Sequence, residues 1–147
     1  MALVLLDDAV ESAIRASFAR QGLMQHLGAR LVLLSPGEAI VRLPYGERVT
    51  QQQGGFHGGA IGALADIAGG YAAMTTVELG TEVTAVEYKI NFLASFGSGT
   101  LEARGRVVRQ GRRVIVTTAE VVHLDDEGRE SPCALMQQTI APVPKKY

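Results

Sequence analysis

A disulfide needs two cysteines, and this chain of 147 residues has one, Cys133. An internal disulfide framework is excluded, and a reducing compartment, the cytoplasm, is expected. An excess of one charge sign is also missing, since 14 basic against 15 acidic side chains leave a net charge of -1. No long basic or acidic run occurs, so neither nucleic acid nor an anionic membrane is expected as a partner. No His/Cys/Asp spacing matches a metal site, and no phosphate-loop or dinucleotide-binding glycine pattern is present, so no metal or cofactor is expected. Aromatics are scarce, with four Phe, four Tyr and no Trp, so a pocket has few rings to draw on. The start, MALVLLDDAVESAIR, is not read as a signal peptide: its apolar run is short, has no basic lead and is broken by aspartates.

What the chain does have is glycine and alanine concentrated in one place. A Gly-rich loop with one histidine, Gly54-Gly55-Phe56-His57-Gly58-Gly59, runs into an apolar segment whose only charge between Ala60 and Met74 is Asp66. The stretch from Gly58 to Val77 has the length of a membrane span, but it is Gly/Ala-rich, carries a central acid and lacks flanking Lys/Arg. It reads instead as a helix buried all round, running to about Leu79-Gly80. Small residues let a sheet pack closely around it. A carboxylate there is costly unless hydrogen-bonded or paired, which makes Asp66 a candidate site.

The length suits a single domain with a real core. Residues 1–28 read as a helical segment and 29–142 as the core. Residues 7–21 resemble an amphipathic helix with an Asp8/Glu11 capping box, a Val10, Ile14, Phe18 stripe and Gly22 as its stop. Arg30–Leu34 and Glu38–Leu43 form a hairpin about Ser35-Pro36-Gly37, and Tyr45–Gly55 is a polar loop. After the buried helix, Val83–Leu93 alternates, with Val86, Tyr88, Ile90 and Phe92 on one face. Strands at Leu101–Arg109, Arg113–Leu124 and Ser131–Ala141 follow, joined by short turns, and Pro142 and Pro144 end the last. Short links imply antiparallel pairing. The fold class is α+β: one long buried helix wrapped by a curved antiparallel sheet, preceded by an N-terminal helix.

These residues resemble a family. His57-Gly58-Gly59 followed by Leu64-Ala65-Asp66 is similar to the signature of hotdog-fold acyl-CoA thioesterases of the phenylacetate-degradation (PaaI-like) branch. Val86-Glu87-Tyr88-Lys89-Ile90-Asn91-Phe92-Leu93 resembles the strand after the helix in that branch, and Gly111-Arg112-Arg113 its next turn. The likeness covers roughly Arg30 to Ile140. It implies hydrolysis of an acyl-CoA thioester in a site between two subunits, with the acid from one chain and glycine amides from the other. It also implies a homodimer, usually paired into a homotetramer. Two departures stand out. The family's asparagine six residues before the histidine is Gln51 here. A Ser or Thr opening the next strand corresponds to Ala85, and Thr84 fills that place only if the strand is bulged by one residue.

Thioester hydrolysis needs an activated water or a nucleophile, and a donor for the developing oxyanion. Asp66 can deprotonate water or attack directly, and partial burial should raise its pKa. The plainer reading ties Asp66 to a neighbouring backbone or hydroxyl group. Gly58 and Gly59 offer free amides at a helix start, Gly59 being favoured, and equally suit a tight turn. His57 either orients the carbonyl or fixes the loop. Gln51 either replaces the family's asparagine or is a solvated glutamine. Phe56, Tyr71, Met74 and Phe92 are candidates for the acyl tunnel, with Thr84 beside them. Arg109, Arg112 and Arg113 either hold the CoA phosphates or form an ordinary solvated turn. Lys89, Lys145 and Lys146 are weaker candidates. His26 and His123 read as surface or satisfied residues, and Cys133 as a buried hydrophobe. The competing functions are a non-catalytic acyl-CoA-binding hotdog protein, which Gln51 and Ala85 favour, and a hotdog dehydratase or hydratase, which wants a histidine placed with an acid on the helix in a different motif. Turnover of a thioester separates the first from hydrolysis.

Overall fold

The structure, a computed structural model, describes residues 4–147. Helices α1 (Asp8–Ala19) and α2 (Gly22–Leu27) open the chain. Strands β1 (Arg30–Ser35) and β2 (Glu38–Pro44) form the expected hairpin, and a short 3-10 turn at Glu47–Val49 leads into the glycine loop. Helix α3 (Gly58–Met74) follows, then β3 (Thr81–Phe92), β4 (Thr100–Gln110), β5 (Ile115–Leu124) and β6 (Glu130–Pro144). The six strands form one antiparallel sheet in the order β1-β2-β4-β5-β6-β3, curved around α3. This is the hotdog architecture. No helix among the described residues is long and apolar enough to cross a membrane.

Glycine sets how closely helix and sheet approach. A Cβ at Gly105 on β4 would overlap the Ala68 carbonyl and lie 2.7 Å from the Gly69 nitrogen. The helix therefore rests directly on the sheet backbone, and Leu64, Ala65 and Ala68 are fully buried in that contact. The helix is not buried all round, however. Gly59, Ala63, Asp66, Ile67 and Gly70 stay partly accessible and recur at three- and four-residue spacing, which is one open stripe. Hydrophobicity alone hides this stripe, because glycine and alanine look equally apolar on every face. The one acid of the helix lies in it.

Several boundaries differ from the sequence reading. The first helix is capped by Asp7, not Asp8: the Asp7 carboxylate accepts from the Ala9 amide at 2.9 Å and the Val10 amide at 3.3 Å. Gly22 does not stop the helical segment but begins α2, which ends at Gly28, where φ is +80°. Helix α3 stops at Met74, short of Leu79, because the hydroxyls of Thr75 and Thr76 take the carbonyls of Ala72 and Ala73, each at 2.7 Å. Pro142 does not end β6 either, and the strand runs on to its last residue, Pro144. β5 pairs with β6 only as far as Ile140, so Pro142 and Pro144 continue opposite Val83 and Thr81 where β6 has no second neighbour.

Candidate active site

The Gly-rich loop delivers His57 as the N-cap of α3. Its Nδ1 accepts a hydrogen bond from the Gly59 amide at 2.8 Å. The amide favoured for an oxyanion is thus already engaged, while that of Gly58 has no acceptor in reach among the described residues. The loop is held by the His57 amide donating to the Val49 carbonyl at 2.7 Å and the Phe56 amide to the Phe96 carbonyl at 2.9 Å. Phe96 is in turn stacked on His123, with ring centroids 4.0 Å apart. His123 is buried and satisfied, its Nε2 2.9 Å from the Ser98 carbonyl. Gln51 turns into its own loop, where its Oε1 accepts from the Gln53 amide, and Phe92 lies against Gly58.

Asp66 sits eight residues along α3, about 12 Å from Gly58 at 1.5 Å per residue. One chain therefore cannot bring both to the same carbonyl. Asp66 is half-buried, and burial pushes its carboxyl above the ordinary value of 3.8, partly offset by a hydrogen bond from Gln138. It opens on a cavity of about 340 Å³. Tyr71, Met74 and Thr84, three of the expected tunnel residues, line that cavity with Ile67, Val83 and Ala85. Its far end is polar: the Tyr71 hydroxyl lies 3.0 Å from Ser17 Oγ, accepts from Gln21 at 3.3 Å, and faces Glu82 and Tyr147.

Other candidates lie elsewhere. Phe56 is buried in the core, edge-on to Tyr45, and does not reach this cavity, its backbone being held by a bridge to Thr50 and by the Phe96 carbonyl. Strand β3 does carry a bulge between Ala85 and Glu87. The register nonetheless sets Ala85 opposite buried Ile140 and Thr84 opposite Ala141, so Ala85 takes the helix-facing side. Arg109, Arg112 and Arg113 are exposed around the β4–β5 turn and line a separate hollow of about 310 Å³. Cys133 is buried, which pushes its thiol up to about 11. The sequence reading did not single out Gln138 and Thr117 behind Asp66, nor Ser17, Gln21, Glu82 and Tyr147 around the cavity. A signal for the first pair existed: each is a polar residue at an inward position of an otherwise apolar strand face.

Known proteins share both the fold and the sequence. Residues 53–129 match the thioesterase superfamily. A thioesterase family protein of Silicibacter pomeroyi superposes with a TM-score of 0.87 at 36% identity, over 92% of this chain and 99% of that one. A 1,4-dihydroxy-2-naphthoyl-CoA hydrolase of Listeria monocytogenes is 31% identical over 125 residues, covering 85% of this chain and 98% of that protein. The E. coli PaaI protein, from the phenylacetic acid degradation operon, has the same fold at a TM-score of 0.82, with 23% identity over 96% of this chain and 98% of that one. The sheet wound about a central helix thus recurs in a protein related to this one in sequence, and the chain belongs to the thioesterase superfamily as a hotdog-fold thioester hydrolase.

Proposed function

We propose that the chain hydrolyses acyl-CoA thioesters in a site completed by a second copy of itself. The observation that carries this is Asp66, the one acid on α3, half-buried at the mouth of a cavity and about 12 Å from the free amide on its own helix. One copy supplies Asp66 and the acyl cavity. The other supplies the loop with Gln51, His57, Gly58 and Gly59. Asp66 acts as general base on water or as nucleophile, and the glycine amides, backed by the helix dipole, stabilise the oxyanion. Collapse of the tetrahedral intermediate then expels the CoA thiolate. With Asp66 as base this leaves the free acid; with Asp66 as nucleophile it leaves an acyl anhydride on Asp66 that a water then hydrolyses to the free acid. With Gly59 tied to His57, the Gly58 amide is ready first, and Gly59 joins when the imidazole turns. In this reading Gln51 leaves the Gln53 amide that holds it in its own loop and turns to the partner copy's acid. Gln51→Ala should then lower turnover while leaving CoA binding little changed.

The Listeria relative, named for a CoA thioester, supports a CoA substrate. The phosphates are assigned to Arg109, Arg112 and Arg113, whose side chains are exposed on one turn. Alanine at all three should raise KM and leave kcat unchanged. The acyl group is assigned to the cavity beside Tyr71 and Met74, and phenylacetyl-CoA and related aryl thioesters are the first choices. The lone buried Cys133 fits the reducing cytoplasm. A panel of aryl, short-chain and long-chain acyl-CoAs, with Asp66→Asn as control, tests the reading. Hydrolysis of none of them, or full activity of Asp66→Asn, overturns it. Rapid quenching during a single turnover separates the two roles, since a nucleophilic Asp66 carries the acyl group as an anhydride and a base does not.

A further inference from the structure

Behind Asp66 stands a chain of polar side chains that thioester chemistry alone does not call for. Thr117 on β5 and Gln138 on β6 are 0% and 1% exposed, on a sheet face otherwise apolar at this level. The Thr117 hydroxyl donates to Gln138 Oε1 at 2.9 Å, and Gln138 Nε2 donates to Asp66 Oδ1. The two residues are registered with each other across the strand pair. Helix α3 is cut away to admit them: a Cβ at Gly69 would overlap Gln138 Oε1 and lie 2.8 Å from Thr117 Oγ1. Glycine in mid-helix costs roughly 1 kcal/mol against alanine, so the gap is a feature the fold maintains at a cost.

The direction of the chain is fixed by chemistry. An ionised carboxylate only accepts, so the amide nitrogen must face Asp66. The amide oxygen must then face Thr117, whose hydroxyl donates to it. Loss of that hydroxyl frees the amide to turn over and offer its oxygen to Asp66, which suits only the protonated acid. We propose that Gln138, locked by Thr117, is a positioning residue that holds Asp66 as an oriented carboxylate, one oxygen engaged and the other turned to the cavity. Its catalytic meaning rests on the reading of Asp66 given above; its effect on the carboxyl does not. Burial pushes Asp66 up and the Gln138 hydrogen bond pulls it back, in the sense this arrangement requires.

Other ionisable groups near this part of α3 are few. β3 brings Glu82, which accepts from the Tyr147 hydroxyl, and Tyr88, which approaches Gly62. The helix itself brings Tyr71, and Arg20 stacks on Tyr147, 4.6 Å from its ring centre. β5 and β6 bring His123 and Cys133, both at the far end beside Phe96 and Ala94. Glu82 is the one carboxylate sharing the cavity, so Glu82→Gln is the control for a through-space effect.

The test is a ¹³C NMR titration of the Asp66 carboxyl in the native protein, Gln138→Leu, Thr117→Val and Thr117→Ser, with the pH profile of kcat/KM run alongside. Gln138→Leu and Thr117→Val should each raise the Asp66 midpoint by about one pH unit and move the acid limb with it. Thr117→Ser, which keeps the hydroxyl, should titrate like the native protein. A merely structural role would lower the melting temperature and leave the midpoint in place; that result in folded Thr117→Val overturns the proposal, and it suffices should Gln138→Leu fail to fold. Glu82→Gln removes a like charge and through space can only lower the midpoint; a rise in it equal to that of Thr117→Val marks an unspecific response and overturns the proposal as well. A midpoint that moves as stated in a protein hydrolysing no thioester sinks the functional reading and leaves this one standing.

Discussion

Burial opposes the charge on Asp66, and that gives the protein a pH signature. Its carboxyl lies above the ordinary 3.8 because burial disfavours the ion. A base or nucleophile must be ionised, so activity should fall as pH drops through the raised midpoint. The acid limb of kcat/KM is expected above the ordinary carboxylate range, and a pH–rate profile checks it. Stability has the opposite sign: the folded state holds the proton more tightly, so stability declines as pH rises from the unfolded value to the folded one. Asp66→Asn, which keeps an acceptor for Gln138, should therefore cost about a hundredfold in turnover and melt no lower than the native protein. Steady-state rates and a thermal scan measure both. Gly58→Pro is the matching probe on the loop. Position 58 is the first of α3, where proline is tolerated, and His57 is already extended, as a residue before proline must be. The variant loses the amide proton and adds a ring whose Cβ would sit 3.2 Å from the exposed Phe92 ring, which must give by a few tenths of an ångström. In a protein that keeps the native fold by circular dichroism, a drop of about a hundredfold in kcat is expected. Asp66 was legible in the sequence because it was the lone charge in a fifteen-residue apolar run. Gln138 was not, because Gln137-Gln138 reads as two polar neighbours until the register shows which one faces inward.

At the scale of elements, the site depends on a helix pressed against a sheet with nothing between them. Gly105→Ala should be destabilising by about 1–3 kcal/mol, since the added methyl group meets helix backbone rather than a movable side chain. Chemical denaturation measures the loss, and thioester turnover should fall with it because Asp66 lies two residues before Ala68 on the displaced turn. The helix, the opening hairpin and the antiparallel strands were legible from apolar runs and turn residues. The finer boundaries were not. Gly22 resembled a stop, but the left-handed conformation that glycine uniquely suits occurs at Gly28. Pro142 and Pro144 resembled terminators, and become tolerable once β6 has lost one of its two neighbours. Each of these depends on what lies beside a strand or after a turn, which local sequence does not specify.

At the scale of the whole molecule, β3 is twelve residues long and forms an edge of the sheet, with Val86, Tyr88, Phe92 and Leu93 exposed. Such an edge aggregates unless it is paired or covered. We expect it to pair with the same strand of a second copy, giving a homodimer at least and a homotetramer by further pairing. Light scattering that finds an active monomer would rule this out, and Tyr88→Lys should weaken both association and turnover. The separation of about 12 Å between Gly58 and Asp66 along one helix has a consequence for mixtures of chains. If each site draws on two copies, a Gly58→Pro chain and an Asp66→Asn chain, each inactive alone, will restore one another when refolded together. One site of the mixed pair then carries both defects and the other carries none. The same arithmetic would make two damaged alleles, expressed side by side, behave in a cell as a partly working gene.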